Sequence, residues 1–80
     1  MRVDVRVMPK AGILDPQGKA IAQALGRLGF ATVGEVRAGK LFQLDIGTED
    51  AAAAREAASR MAETLLSNPV IEDFEVEVAP

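Results

Sequence analysis

The chain contains no cysteine, histidine, tryptophan or tyrosine. Without cysteine it can form no disulfide and offers no thiolate ligand or thiol nucleophile; without histidine it has no imidazole base and no imidazole metal ligand. Most active-site chemistries are thereby closed to it. Its aromatic residues are Phe30, Phe42 and Phe74, so its core must be aliphatic. No stretch is long and apolar enough to span a bilayer, and Met1-Arg2-Val3-Asp4 does not open a signal-peptide apolar region, so a cytoplasmic protein is expected. A strong charge of either sign is also missing: nine Lys and Arg stand against twelve Asp and Glu, a net charge of −3. The basic residues are scattered, which disfavours nucleic acid and anionic membrane as partners.

What is present suffices for one small folded domain over residues 1–80, since the hydrophobic share is 49% and a disordered chain would have far less. A domain of this length buries only about 60–65% of its unfolded surface. Its stability alone is marginal, and the sequence predicts at least a dimer or membership in a larger complex.

The densest punctuation lies in Met8–Gly18, M-P-K-A-G-I-L-D-P-Q-G. Pro9 cannot donate to a β ladder, Gly12 suits a positive-φ turn, and Asp15-Pro16 is an N-cap followed by an N1 proline. A strand should end at Met8 and a helix begin after Asp15, with Ile13 and Leu14 buried by a docked loop. Before the loop, Val3, Val5 and Val7 alternate with Arg2, Asp4, Arg6 and Met8, the pattern of a half-buried strand. After it, Ile21, Leu25 and Leu28 form one helical stripe opposite Lys19, Gln23 and Arg27, and Gly29 provides the stop.

From Phe30 to Gly47 the pattern predicts two more strands. Phe42, Leu44 and Ile46 alternate cleanly; Val33 and Val36 do not share a strand face, which suggests a bulge at Gly34 or an outward valine. Arg37-Ala38-Gly39-Lys40 reads as the hairpin turn between them. Thr48 then suits an N-cap, and a second helix should run to about Ser67 with Ala54, Ala58, Met61 and Leu65 inward. Asn68-Pro69 ends it, Asn tolerating a left-handed conformation. A last strand places Phe74, Val76 and Val78 inward and Asp73, Glu75 and Glu77 outward.

The order β-α-β-β-α-β predicts an α+β, ferredoxin-like fold, a four-stranded antiparallel sheet with two helices on one face. There the first and last strands are antiparallel neighbours, and Arg2 and Arg6 stand beside the acidic residues of the last strand. None of this constitutes an active site. Lys10 beside a helix N-terminus has phosphate-binding chemistry but no P-loop spacing, so a structural or interface role is expected. Gly39-Lys40 fits turn chemistry, Asp15 fits capping, and the acidic last strand fits a solvated face better than a metal site.

Four ordered stretches nevertheless resemble one family. V-x-P-K-x-G-I-L-D-P-Q-G from Val7 to Gly18, A-L-x-x-L-G-F from Ala24 to Phe30, V-R-x-G-K from Val36 to Lys40 and L-L-x-N-P-V-I-E from Leu65 to Glu72 are similar to the PurS family, small subunits of phosphoribosylformylglycinamidine (FGAM) synthase. Phe74 departs from the hydroxylated aromatic common there. The resemblance implies a subunit with no catalytic, cofactor or metal residues of its own. It would bridge a glutaminase subunit, which releases ammonia, and a synthetase subunit, which uses ATP and magnesium to activate the acceptor amide. On that reading the subunit-interface candidates are Lys10, Ile13, Leu14, Arg37, Lys40, Asn68 and Pro69. Two other classes compete. A free-standing ligand-sensing domain would bind a small molecule at a dimer interface, and an RNA-binding module would need outer-face aromatics in place of Arg2, Asp4, Arg6, Gln43, Asp45, Glu75 and Glu77.

Overall fold

The structure is a computed structural model that describes residues 1–79; Pro80, the last residue of the expected domain, lies outside the described residues. Its elements are β1 (Arg2–Pro9), α1 (Pro16–Arg27), β2 (Lys40–Asp45), α2 (Ala51–Met61) continued by a π-helical turn (Ala62–Leu66), and β3 (Glu72–Val78). The sheet is antiparallel with the order β2-β1-β3.

The core follows from that order. β1 is central, so its inward residues are covered on both flanks as well as from above: Val5 lies opposite Phe42 in β2 and Val76 in β3. Val3, Val5 and Val7 are fully buried, and Ala54, Ala58 and Ala62 of the α2 segment close over them. Full burial stabilises by about 2 kcal/mol for each such valine. The alanines let the helix backbone approach the sheet closely. On the outer face the expected pairing of β1 with the last strand is present, with Arg6 Nη2 2.8 Å from Glu77 Oε2 and Glu75 directly opposite Arg6.

The sheet has three strands, not the four expected. Residues 31–39 form no ladder on the free edge of β2, because Val33 and Val36 supply no alternating apolar face. Arg37–Lys40 is accordingly not a hairpin turn but the lead into β2, and Gly39 does not have positive φ. The two positive-φ glycines among the described residues are Gly12 at 83° and Gly29 at 99°. Gly29 closes α1 as expected: the Phe30 amide donates to Leu25 O at 3.0 Å and the Gly29 amide to Gly26 O at 3.2 Å, the paired bonds of a Schellman end.

Other boundaries shift for local reasons. β1 runs one residue further, to Pro9, which sits opposite Glu72 at the end of the ladder where a missing N–H costs little. Asp50, not Thr48, caps α2, its Oδ1 accepting from the Ala52 amide at 3.0 Å, while Thr48 Oγ1 accepts from the Asp50 amide at 3.2 Å and shapes the turn before it. The inward stripe of α2 runs 54-58-62-66, leaving Met61 and Leu65 exposed. A strict four-residue step follows the slightly wound path over the sheet, and the π-helical turn, closed by the Ser67 amide on Ala62 O at 2.9 Å, keeps Leu66 inward. The helix ends at Leu66 with Ser67 already extended, and Asn68, beyond it, accepts from the Val70 amide at 3.1 Å in an Asx turn rather than adopting a left-handed conformation, no described non-glycine residue having positive φ.

The largest departure concerns α1. Its expected stripe packs on no strand and not on α2: Ile21 is 38% and Leu28 73% exposed, and Gly18 is its one buried residue. Ile13 and Leu14, expected under the loop, are also exposed. The molecule is correspondingly elongated, 48 × 27 × 14 Å with a radius of gyration of 15.8 Å, whereas a compact chain of this length has about 12 Å.

Candidate interface at the loop end of the sheet

The sequence candidates gather where β1 ends and β2 begins, held by contacts between three distant segments. Asp15 is the centre. Its Oδ1 accepts from the Gly18 amide at 2.9 Å, capping α1, and its Oδ2 accepts from the Ala38 amide at 2.7 Å, tying the helix start to the lead into β2. Those two backbone bonds hold its carboxyl below the usual carboxylate range. The carboxylate is therefore committed to structure and is a poor proton donor or acceptor for chemistry at neutral pH.

Around it the chain is laced shut. Arg37 donates from Nη2 to the Pro9 carbonyl, and Gly18 lies so close to the Val36 carbonyl and Asp15 that a Cβ has no room. Gly39 is confined in the same way by the Val7 carbonyl and Met8 Sδ. On the other flank the Lys10 amide donates to Ile71 O at 2.8 Å and Lys10 Nζ to Asp73 Oδ1 at 2.8 Å. The loop is docked as expected, but by its backbone and polar groups, with Ile13 and Leu14 left outward.

Three open grooves result. One of about 570 Å³ runs between Lys10, Pro69, Glu72 and Asp73. A second, about 340 Å³, lies between Ile13, Leu14, Lys19 and Arg37, and a third, about 230 Å³, between Pro16, Gly39 and Lys40. The structure thus brings Lys10 and Pro69 to one groove, Ile13, Leu14 and Arg37 to the next, and Lys40 to the last. Asn68 stands apart, its side chain spent on its own turn and its amide donating to Glu72 Oε1 at 2.7 Å. Sequence reasoning missed Gly18, Val36 and Ala38 as members of this site. The available signal was a glycine in the first turn of a helix, a costly choice unless another backbone must pass close by.

Chemically the arrangement can hold and orient, and little else. Among the described residues no group of three or more acidic side chains is placed to hold a metal ion. No described helix is long and apolar enough to cross a membrane. Fold and site together define a small α+β domain whose loop end is fixed by backbone contacts and opens in three grooves.

Comparison with known proteins specifies the subunit. Residues 2–80 match the family model PurS, described as phosphoribosylformylglycinamidine (FGAM) synthase. The FGAM synthase subunit PurS of Mycobacterium leprae is 52% identical over 75 residues, 94% of this chain and 91% of that protein. The solved structure of Bacillus subtilis PurS superposes with a TM-score of 0.86 at 38% identity, covering 99% of this chain and 98% of that one. A chain in the structure of PurLQS from Thermotoga maritima gives 0.86 at 30% identity, over 95% and 93%. The chain belongs to the PurS family of FGAM synthase subunits.

Proposed function

We propose that this chain is the small subunit that joins a glutaminase subunit to a synthetase subunit in FGAM synthase and supports passage of ammonia between them. The complex is a glutamine-dependent ligase of purine biosynthesis, converting formylglycinamide ribonucleotide, glutamine and ATP to FGAM. The observation that carries the reading is the full-length family match, reinforced by likeness to a chain of the PurLQS structure. ATP and magnesium belong, on this reading, to the synthetase partner, with no cofactor held by this chain, and the complex works in the cytoplasm.

The partner surfaces are the three grooves at the loop end. Lys10 and Pro69 flank one, Ile13, Leu14 and Arg37 the next, and Lys40 the third. Lys40, which makes no ion pair among the described residues, offers an uncommitted positive charge. Exposed apolar side chains beside fixed backbone suit a protein partner. The competing reading, a free-standing small-molecule sensor, has open grooves to work with where a ligand needs enclosure. Copurification tests the proposal. Tagged chain should retain both the glutaminase and the synthetase subunit on size-exclusion chromatography with glutamine and nucleotide present; a chain that elutes apart from both contradicts it.

A further inference from the structure

The charge of the molecule is concentrated on the outer face of the sheet. Arg2 and Arg6 stand there against five carboxylates, those of Asp4, Asp45, Asp73, Glu75 and Glu77, and the other seven basic and seven acidic residues of the chain cancel. The whole net charge of −3 therefore sits on this one face. Among the described residues no helix covers it, since Ala54, Ala58 and Ala62 lie over the opposite face with Val3, Val5 and Val7 and α1 packs on no strand.

The face does not neutralise itself. Arg6 pairs with Glu77, and Lys10 from the loop with Asp73, both at 2.8 Å, whereas Glu75 is exposed and makes no ion pair among the described residues. Asp4, between Gln43 and Glu77 in the middle of the sheet, has an oxygen, Oδ1, that accepts no hydrogen bond. Arg2 Nε stands 3.8 Å from it, beyond hydrogen-bond reach. The face is short of donors. Beside Glu75 a depression of about 120 Å³ opens between Arg6, Met8, Asp73 and Phe74, about four water volumes at about 30 Å³ each. Met8 gives it apolar surface and Asp73 and Glu75 give it carboxylates, a combination that suits the stem and charged head of a lysine or arginine.

We infer that this face is a second docking surface and that it takes a basic surface of one of the two enzyme subunits, a lysine or arginine of which enters the depression beside Glu75. The inference rests on the joining role above and extends it: a chain that holds two enzymes needs two separate surfaces, and the loop end supplies one. The loop-end grooves carry both signs, with Lys10, Lys19, Arg37 and Lys40 among carboxylates, so the acidic face is the one that steers a basic partner and fixes its orientation. Charge also sorts the occupants. Nucleic acid is repelled, and two copies stacked face to face bring like charges together.

The test is the affinity of the chain for each purified enzyme subunit, titrated separately from about 0.05 M to about 0.5 M NaCl. One of the two affinities should fall with salt, and Glu75→Lys should weaken that one by about 30-fold or more while changing the other by no more than about twofold. Glu56→Lys makes the same charge change on the exposed side of α2 and should alter neither by more than about twofold. Glu75→Gln, which removes charge without reversing it, should weaken the salt-sensitive contact by about fivefold, and it carries the comparison should Glu75→Lys not fold. Normal binding of both subunits by the Glu75 variants, or an equal loss in Glu56→Lys, would overturn the inference. So would a loss of self-association in Glu75→Lys at unaltered subunit affinity, which would give the face to a second copy. Each of these results leaves the joining role standing, whereas a parent protein that binds neither subunit removes both.

Discussion

Asp15 and Ala38 are 23 residues apart in the chain and joined by a 2.7 Å hydrogen bond from the Ala38 amide to the Asp15 carboxylate. One side chain thus caps a helix and fastens that helix to the segment that leads into β2. Two of the family-like stretches, one ending I-L-D-P-Q-G and the other V-R-x-G-K, are the two halves of a single clasp.

The clasp makes Asp15 a pH-sensitive fastening. Its folded carboxyl titrates below the usual range because two amides donate to it, so its contribution is fully present above the unfolded value of about 3.9 and is lost as pH falls through the lower folded value. Asp15→Asn should melt lower at neutral pH and lose less on acidification below about pH 4 than the parent protein. Melting curves from pH 7 to acid check this; parallel pH profiles for the two proteins would mean that the carboxylate is not fastened.

Glycines separate the clasp from ordinary helix propensity. Gly18→Ala drives a methyl group against the Val36 carbonyl and Asp15 and should cost about 1–3 kcal/mol. Gly26→Ala, in the same helix with open space around it, should stabilise by about 0.5–1 kcal/mol. Denaturant midpoints that move in the same direction for both would refute the close approach at Gly18.

Buried and exposed apolar side chains respond differently to truncation. Val5 is fully buried between two strands under α2, and Val5→Ala should cost about 2 kcal/mol. Leu65→Ala removes a side chain that is 82% exposed and should fall within about 0.5 kcal/mol of the parent. Chemical denaturation of the two variants compares them directly.

Val3, Val5, Val7, Phe42, Phe74 and Val76 were legible because a strand has a two-residue period and one buried face, and the cap at Asp15-Pro16 was legible because its chemistry is local. Met61 and Leu65 were misplaced because three- and four-residue steps around a helix are nearly interchangeable until a sheet selects one. The strand expected before Arg37 failed because Val33 and Val36 do not alternate, so no apolar face forms to pair with the free edge of β2. The position of α1 was hidden most deeply, since an apolar stripe does not say against which element it packs, and here it is left exposed. In the candidate interface, Lys10, Ile13, Leu14 and Arg37 were found from loop chemistry, while Gly18, Val36 and Ala38 act through backbone atoms that a side-chain reading passes over.

Lys10 distinguishes fold from assembly. Its ammonium pairs with Asp73 at 2.8 Å on an exposed surface, and such pairs are worth about 0–1 kcal/mol. Lys10→Ala should leave the melting temperature nearly unchanged while weakening complex formation with the glutaminase and synthetase subunits, as read by titration. Unaltered assembly would make Lys10 a solvated turn residue and move the docking surface towards Lys40 or the Asn68–Glu72 turn.

In the proposed function this chain acts by joining enzymes and performs no chemistry itself. The direct measurement is FGAM formation by purified glutaminase and synthetase subunits, with glutamine or with ammonia as nitrogen source, in the presence and absence of this protein. The chain alone should hydrolyse neither glutamine nor ATP, and its addition should raise the glutamine-dependent rate steeply and affect the ammonia-dependent rate far less. A glutamine-dependent rate that is indifferent to its addition, or glutaminase activity in the rigorously purified chain, would rule out this joining role.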